Sequence, residues 1–342
     1  MKLCAYAMTA WMTYSLSRDA ARARFILMSL IAVGSFYVLY AWLFGLLDWH
    51  QFQLFYFAQN VGNRIAAPFV NRNTLATFAG ITCLCCGLKL IELGDRAIIR
   101  ERGKRHFVLS VVEFAFGSGV VIVVATILSF SLVIATGSLG GTIATVSAIL
   151  AMCAISLTAR LRTKLDRATA ITMAVLALSL IGLIALSGSE LAERLSAMAS
   201  KGSLSEEMRV SLWAATSRMI RDAPFLGLGL GTFENAYPLY AQTFYPVVMD
   251  KAHNDFLELA AGWGLPAAIA WWSALAWLAW MCARGIFVRN RDRIYPFVGF
   301  GATVLVGVHS IFDFSLQIPA IALLYAVVLG LGVAQSFSSQ ER

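Results

Sequence analysis

Charge is what this sequence most conspicuously lacks. Only 13% of its 342 residues are charged, against 59% hydrophobic, whereas soluble domains carry about 25% charged residues. So little polar side chain cannot clothe a water-soluble globule, so lipid is the expected solvent. The net charge of +8 would suit nucleic acid if it formed one face or a tail, but the basic residues instead occur as short clusters between apolar runs. A cleavable signal peptide is missing: the first residues have no charged start followed by a small-residue cleavage site. Internal repeats and low-complexity tracts are also lacking. The six cysteines, Cys4, Cys83, Cys85, Cys86, Cys153 and Cys282, all fall inside apolar runs, where they read as small buried hydrophobes and no disulfide is expected. Cys83 and Cys86 have metal-site spacing but no second pair of ligands, so no metal and no cofactor is expected.

What is present is a series of apolar runs, at 1–17, 25–47, 74–93, 107–135, 141–159, 168–187, 256–283, 294–312 and 319–337. A spanning helix needs roughly 20 apolar residues, so the expected fold is an all-α, polytopic transmembrane bundle of about nine spans. The basic clusters are Arg18, Arg22 and Arg24; Arg96 to Arg105; Arg160 to Arg167; and Arg284 to Arg293. They occupy alternate loops, which places them in the cytoplasm and places 48–73, 136–140, 188–255 and 313–318 outside. The C-terminus is then cytoplasmic and Met1 outside, which suggests that N-terminal spans are absent. The chain reads as one membrane domain, 1–342, with a large outer loop at 188–255 that is too long for a simple connector.

The outer loop contains most of the candidate chemistry. Segment 203–222 has helical periodicity, with Ser203 and Glu206 at capping-box spacing. Met208, Leu212, Trp213, Met219 and Ile220 share one face, and Glu207, Arg218, Arg221 and Asp222 share the other. Arg209 breaks the pattern by falling within the apolar face, about 180° from Arg218. Structurally it would snorkel to a membrane interface; functionally it would hold a buried anion, since a guanidinium grips phosphate or carboxylate in a bidentate manner. Pro224 ends the helix. Gly227, Gly229 and Gly231 then alternate with apolar residues, forming either a tight turn or a row of amides facing a phosphate; there is no P-loop Lys-Ser/Thr beside them.

His253, the only histidine of the long loop, precedes a predicted span together with Asn254. It is either a capping residue or a general base, the role for which imidazole is suited near neutral pH. Asp255 and Glu258 have capping spacing. Two further segments face the same side: Asn71, Arg72 and Asn73 enter one span, and His309 and Asp313 end another. For both, structural hydrogen bonding competes with a role in a site.

Taken together, FVNRNTLATF (69–78), Arg209 followed by PFLGLGLGTF (224–233), AHNDFLELAAGWG (252–264) and HSIFDFSLQIPA (309–320) resemble, in order, the O-antigen ligase and polysaccharide polymerase superfamily of bacterial inner-membrane glycosyltransferases. The region of resemblance is 69–320. It implies a GT-C-like bundle of about a dozen spans with both ends cytoplasmic. It also implies a metal-independent, inverting transfer at the periplasmic face, from an undecaprenyl-pyrophosphate-linked glycan to lipid A core or to a growing polysaccharide. Carried over, Arg209 matches the loop arginine that meets pyrophosphate and His253 the essential histidine. Arg72, Asn73, Asn254 and the three glycines become candidate substrate-binding residues. One departure stands out: Leu139, in 136-TGSLGG-141, occupies the place of the family's second phosphate-binding arginine, so either Arg72 substitutes or phosphate binding is weakened. A lipid-linked-glycan flippase and an inactive family member are the alternatives.

Overall fold

The structure is a computed structural model describing residues 2–46, 65–66, 68–99, 118–162, 206–243, 245, 248–289 and 291–337. All regular elements among these are helical. In chain order they are α1 (Lys2–Leu16), α2 (Ala20–Leu46), α3 (Arg72–Ile99), α4 (Ser118–Ala135), α5 (Leu139–Arg162), α6 (Glu206–Asp222), α7 (Phe233–Tyr240), α8 (Asp255–Trp263), α9 (Leu265–Val288), α10 (Ile294–His309), a 3₁₀ turn (Ser315–Gln317) and α11 (Pro319–Ala334). The described parts of the predicted apolar runs are helical, with 256–283 divided between two helices; 107–117 and 168–187 lie outside the described residues, as do Ser203 and the side chains from Arg96 to Arg105.

Among the described residues, four helices are long and apolar enough to cross a membrane: Ala20–Leu46, Arg72–Gly94, Leu139–Ala159 and Leu265–Val288. Gly119–Ala135, Ile294–His309 and Pro319–Ala334 are shorter apolar helices. Their burial sorts them into layers. The apolar window of α3 is 89% buried, and α10 buries residues along nearly its whole length; the window of α9 is only 11% buried. On the outer helices Phe25, Val121, Ile127, Leu157, Ile269 and Trp277 are exposed. Apolar side chains facing outward over several helices require lipid around them, so the chain is a membrane protein.

The centre is α10, which packs against α3, α5, α9 and α11. Small residues bring the backbones together, as is usual where lipid competes for apolar contacts. A Cβ on Gly332 would lie 2.7 Å from the Cα of Gly299, fixing the α10–α11 crossing. A Cβ on Gly141 would lie 2.5 Å from that of Ala76, holding the start of α5 against α3.

The predicted span 256–283 is not continuous. Gly264, at φ 80 and ψ 161, separates α8 from α9, and Pro266 follows in the first turn of α9. Apolarity alone could not show this break. It exists because the loop after α6 abuts it: Leu265 N donates to Pro224 O, and a Cβ on Gly264 would sit 2.3 Å from Phe225 O. The cysteines are free, and five are buried or half-buried in helices; Cys4 is exposed, contrary to the expectation of burial.

The two ends of the bundle differ. At one, Gln335 donates to Ser17 O and Arg289 to Phe337 O, close to the basic clusters at 18–24 and 284–293. The other end gathers the start of α3, the 136–140 turn, α6 to α8 and the residues after α10.

Candidate functional site

The segment from α6 to α8 has a small core of its own. Leu212, Ala215 and Met219 of α6 are buried with Phe233 and Tyr237 of α7, and with Met249, Ala252 and Ala261. The apolar face of α6 therefore packs on protein. Arg218, on its opposite side, donates through Nε and Nη2 to Tyr240 O, at 3.1 and 2.8 Å, and ties α6 to the end of α7. Arg209 is placed differently. Its Nε is buried without a hydrogen-bond partner, and its charge acts on His309. This is the inward arrangement rather than the snorkelling one.

Trp213 links α6 to the histidine segment, its Nε1 donating to Ala252 O at 3.1 Å. The 252–258 segment is a knot of local bonds. Asn254 caps α8 by accepting from Leu257 N, and Glu258 accepts from Ala252 N at 2.8 Å and from Lys251 Nζ. Asn254 is thus a buried helix cap. His253 sits between these bonds with φ 50, a left-handed conformation that costs a non-glycine residue about 1–2 kcal/mol.

Asp255 is not a cap, which corrects the reading from spacing. Its Oδ2 accepts from Ser310 Oγ and its Oδ1 from Gln317 Nε2, both at 3.0 Å, while its backbone N donates to Ser310 O. Burial pushes its carboxyl up to about 7, against these hydrogen bonds. The clamp fixes the start of α8 to the end of α10. Two residues before it, His253 Nδ1 meets Asp313 Oδ1 at 2.9 Å, and the imidazole stands edge-on to Phe314. Asp313 is 1% exposed. Burial raises its pKa, but the hydrogen bond and charge of His253 and the charge of His309 outweigh that and hold the carboxyl below its usual range. An ionised Asp313 accepts Nδ1–H, leaving Nε2 of His253 as the basic nitrogen.

His309, at the end of α10, has its Nδ1 beside Thr77 Oγ1 at 2.6 Å and Ser315 Oγ at 3.0 Å; its Nε2 is buried and has no partner. Arg72 donates through Nη1 to Gly137 O at 3.2 Å, joining the start of α3 to the 136–140 turn. At that turn Leu139 begins α5 and is exposed. Thr77 Oγ1, the hydroxyl that touches His309, also lies 3.1 Å from the carbonyl of Asn73. Arg209, His253, His309 and Asp313 thus form one cluster, with Arg72 and Asn73 beside it on α3.

The glycine run stands apart. Gly227 N donates to Ala223 O, Leu228 N to Ala261 O and Gly229 N to Gly262 O. The amides of Gly227 and Gly229 are committed to the chain itself, so this part of the run is a turn docked on α8. Positive φ at Gly227, Gly229 and Gly231 explains the glycines. Gly229, Gly231, Asp255, Gln317 and Trp272 line a cavity of about 490 Å³ to which His253 and Arg209 do not contribute.

Among the described residues no group of three His, Cys, Asp or Glu could hold a metal ion. Sequence reasoning named His309 and Asp313 without deciding between structure and site; their union with His253 depends on chain reversals that local spacing does not reveal.

Residues 124–272, from within α4 to the first turns of α9, match the family model described as O-antigen ligase. This segment contains Arg209, the glycine run and His253, and the match supports the O-antigen ligase and polymerase family, the same family that the motifs resemble. No curated protein matches the chain.

Proposed function

We propose that the protein transfers a glycan from undecaprenyl pyrophosphate to lipid A core or to a growing polysaccharide, at the periplasmic face of a bacterial inner membrane. The observation that carries this reading is the His253–Asp313 pair beside the unpartnered Arg209. Nε2 of His253 takes the proton of an acceptor hydroxyl as that oxygen attacks the anomeric carbon. The new C–O bond forms while the bond to pyrophosphate breaks, and the electron pair leaves with the phosphate. A single displacement inverts the anomeric centre. Asp313 holds the imidazole tautomer and stabilises the imidazolium, which later releases its proton to solvent. The remaining Oδ2 of Asp313, buried and unpartnered, is an acceptor suited to a sugar hydroxyl.

Arg209 stabilises the departing pyrophosphate, with Arg72 and Asn73 shaping the same end of the site. In a dry site one such donor is worth about 10²–10³-fold in rate. Metal and nucleotide are not needed in this scheme, because the arginines take up the developing charge and the pyrophosphate leaving group supplies the driving force. A flippase would also use an interior arginine, but transporter sites lie near the bilayer midplane, and this cluster lies at one end of the bundle.

Transfer is tested with purified protein in proteoliposomes and an undecaprenyl-pyrophosphate-linked glycan. His253→Ala and Arg209→Ala should each lose transfer while still inserting. Normal transfer in both would overturn the reading. No transfer by the unaltered chain, with the donor supplied, would identify an inactive member.

A further inference from the structure

His309 is a fully buried histidine with one nitrogen secured and the other unoccupied. Thr77 Oγ1 and Ser315 Oγ converge on Nδ1 and lie 3.0 Å from each other. Thr77 Oγ1 lies nearer to Nδ1, at 2.6 Å, than to Asn73 O, at 3.1 Å, so its hydrogen is assigned to Nδ1, and Ser315 donates to Thr77 Oγ1. A neutral imidazole whose Nδ1 accepts carries its proton on Nε2. That N–H is buried without a partner, a costly state unless something fills it.

Its surroundings favour an anion. A Cβ on Gly140 would lie 3.5 Å from Nε2 and 3.3 Å from Cδ2, so this edge of the ring faces the first turn of α5. Such a turn has amides without intrahelical partners and the positive end of the helix dipole; Ser138 Oγ accepts only from Gly141 N. The Arg209 charge acts on the same ring, and the Nε of Arg209 is likewise buried and unpartnered. Asp313 is the opposing charge, and its Oδ1 is engaged by His253.

We propose that His309 is a substrate-binding residue, its Nε2–H donating to a phosphate oxygen of the pyrophosphate that Arg209 holds. This rests on the donor named under Proposed function. No covalent step is assigned to His309; its ring is positioned by Thr77 and Ser315 and meets the ligand through one nitrogen.

The test is the affinity of the detergent-solubilised full chain for undecaprenyl pyrophosphate without glycan, by calorimetry. Glutamine places an amide where Nε2 stands, whereas asparagine places one at Nδ1. His309→Gln should bind within about threefold of the unaltered protein, and His309→Asn about tenfold or more weaker, the loss of one hydrogen bond to a charged group. Gly140→Ala, which crowds the Nε2 edge without touching Thr77 or Ser315, should weaken binding too and decides the matter if His309→Asn does not fold. Undiminished binding in His309→Asn and Gly140→Ala would overturn the proposal, as would His309→Gln binding as weakly as His309→Asn, which would mark a packing role. Failure of the unaltered protein to bind undecaprenyl pyrophosphate would instead bring down the donor reading, and this proposal with it.

Discussion

Nδ1 of His253 lies 2.9 Å from Oδ1 of Asp313, across 60 positions of sequence. The contact joins the end of the 206–253 segment to the residues that follow α10, the helix at the centre of the bundle. Its chemical content is a fixed tautomer. Asp313→Asn should therefore lower transfer by about 10²-fold or more, with donor affinity little changed. The double variant His253→Ala/Asp313→Asn should be no slower than His253→Ala alone, because the two residues act as one unit. Additive losses in the measured rates would separate them.

The left-handed backbone at His253 makes a second prediction. Asn and Gly accept φ 50 more readily than histidine does. His253→Asn and His253→Gly should abolish transfer while leaving the melting temperature of the solubilised protein equal or higher. A marked fall in melting temperature would show that the imidazole contributes more to stability than its backbone costs.

Gly227 and Gly264 should tolerate alanine poorly. Both have positive φ, and the added Cβ would lie 2.4 Å from Gly262 O in one case and 2.3 Å from Phe225 O in the other. Each change should cost about 1–3 kcal/mol, read as lowered thermal stability. Gly231→Ala, with φ 80 but open space around it, should cost less than either.

The carboxyl of Asp255 gives a pH signature. Its folded pKa, about 7, lies above the ordinary 3.8. Between these values the unfolded chain ionises first, so this residue's contribution to stability declines as pH rises from about 4 to about 7 and is constant beyond. Asp255→Asn, which can still accept from Gln317 and bond Ser310, should raise the melting temperature at pH 8 and reduce its change between pH 5 and pH 8. An unaltered pH profile in the variant would contradict the raised value.

Helical phase and charge alternation made much of this legible. Arg209 stood out because a cation fell within the apolar stripe of α6, and the described clusters at 18–24 and 284–293 lie at the end of the bundle opposite His253. The break at Gly264 was not legible, because apolar residues run through it and its cause is the approach of residues 224–226. The glycine run was open to two readings for a related reason. A row of glycines offers amides in sequence, but only the fold shows whether carbonyls have already taken them, as Gly262 O takes that of Gly229. The pairing of Asp313 with His253 was hidden because neither residue has an unusual neighbourhood in sequence.

The burial gradient from α10 outward also divides the chain into parts with different freedom to vary. His309 ends the helix at the centre of the bundle and Asp313 follows four residues later, so substitutions in the packing of α10 will be felt at the acid–base pair. The outward faces of α2 and α9 are exposed among the described residues and can drift with the thickness and composition of the host bilayer. Among relatives, then, sequence should diverge fastest on those outer faces, and a homologous chain could move between membranes of different species while its reactive end stays the same.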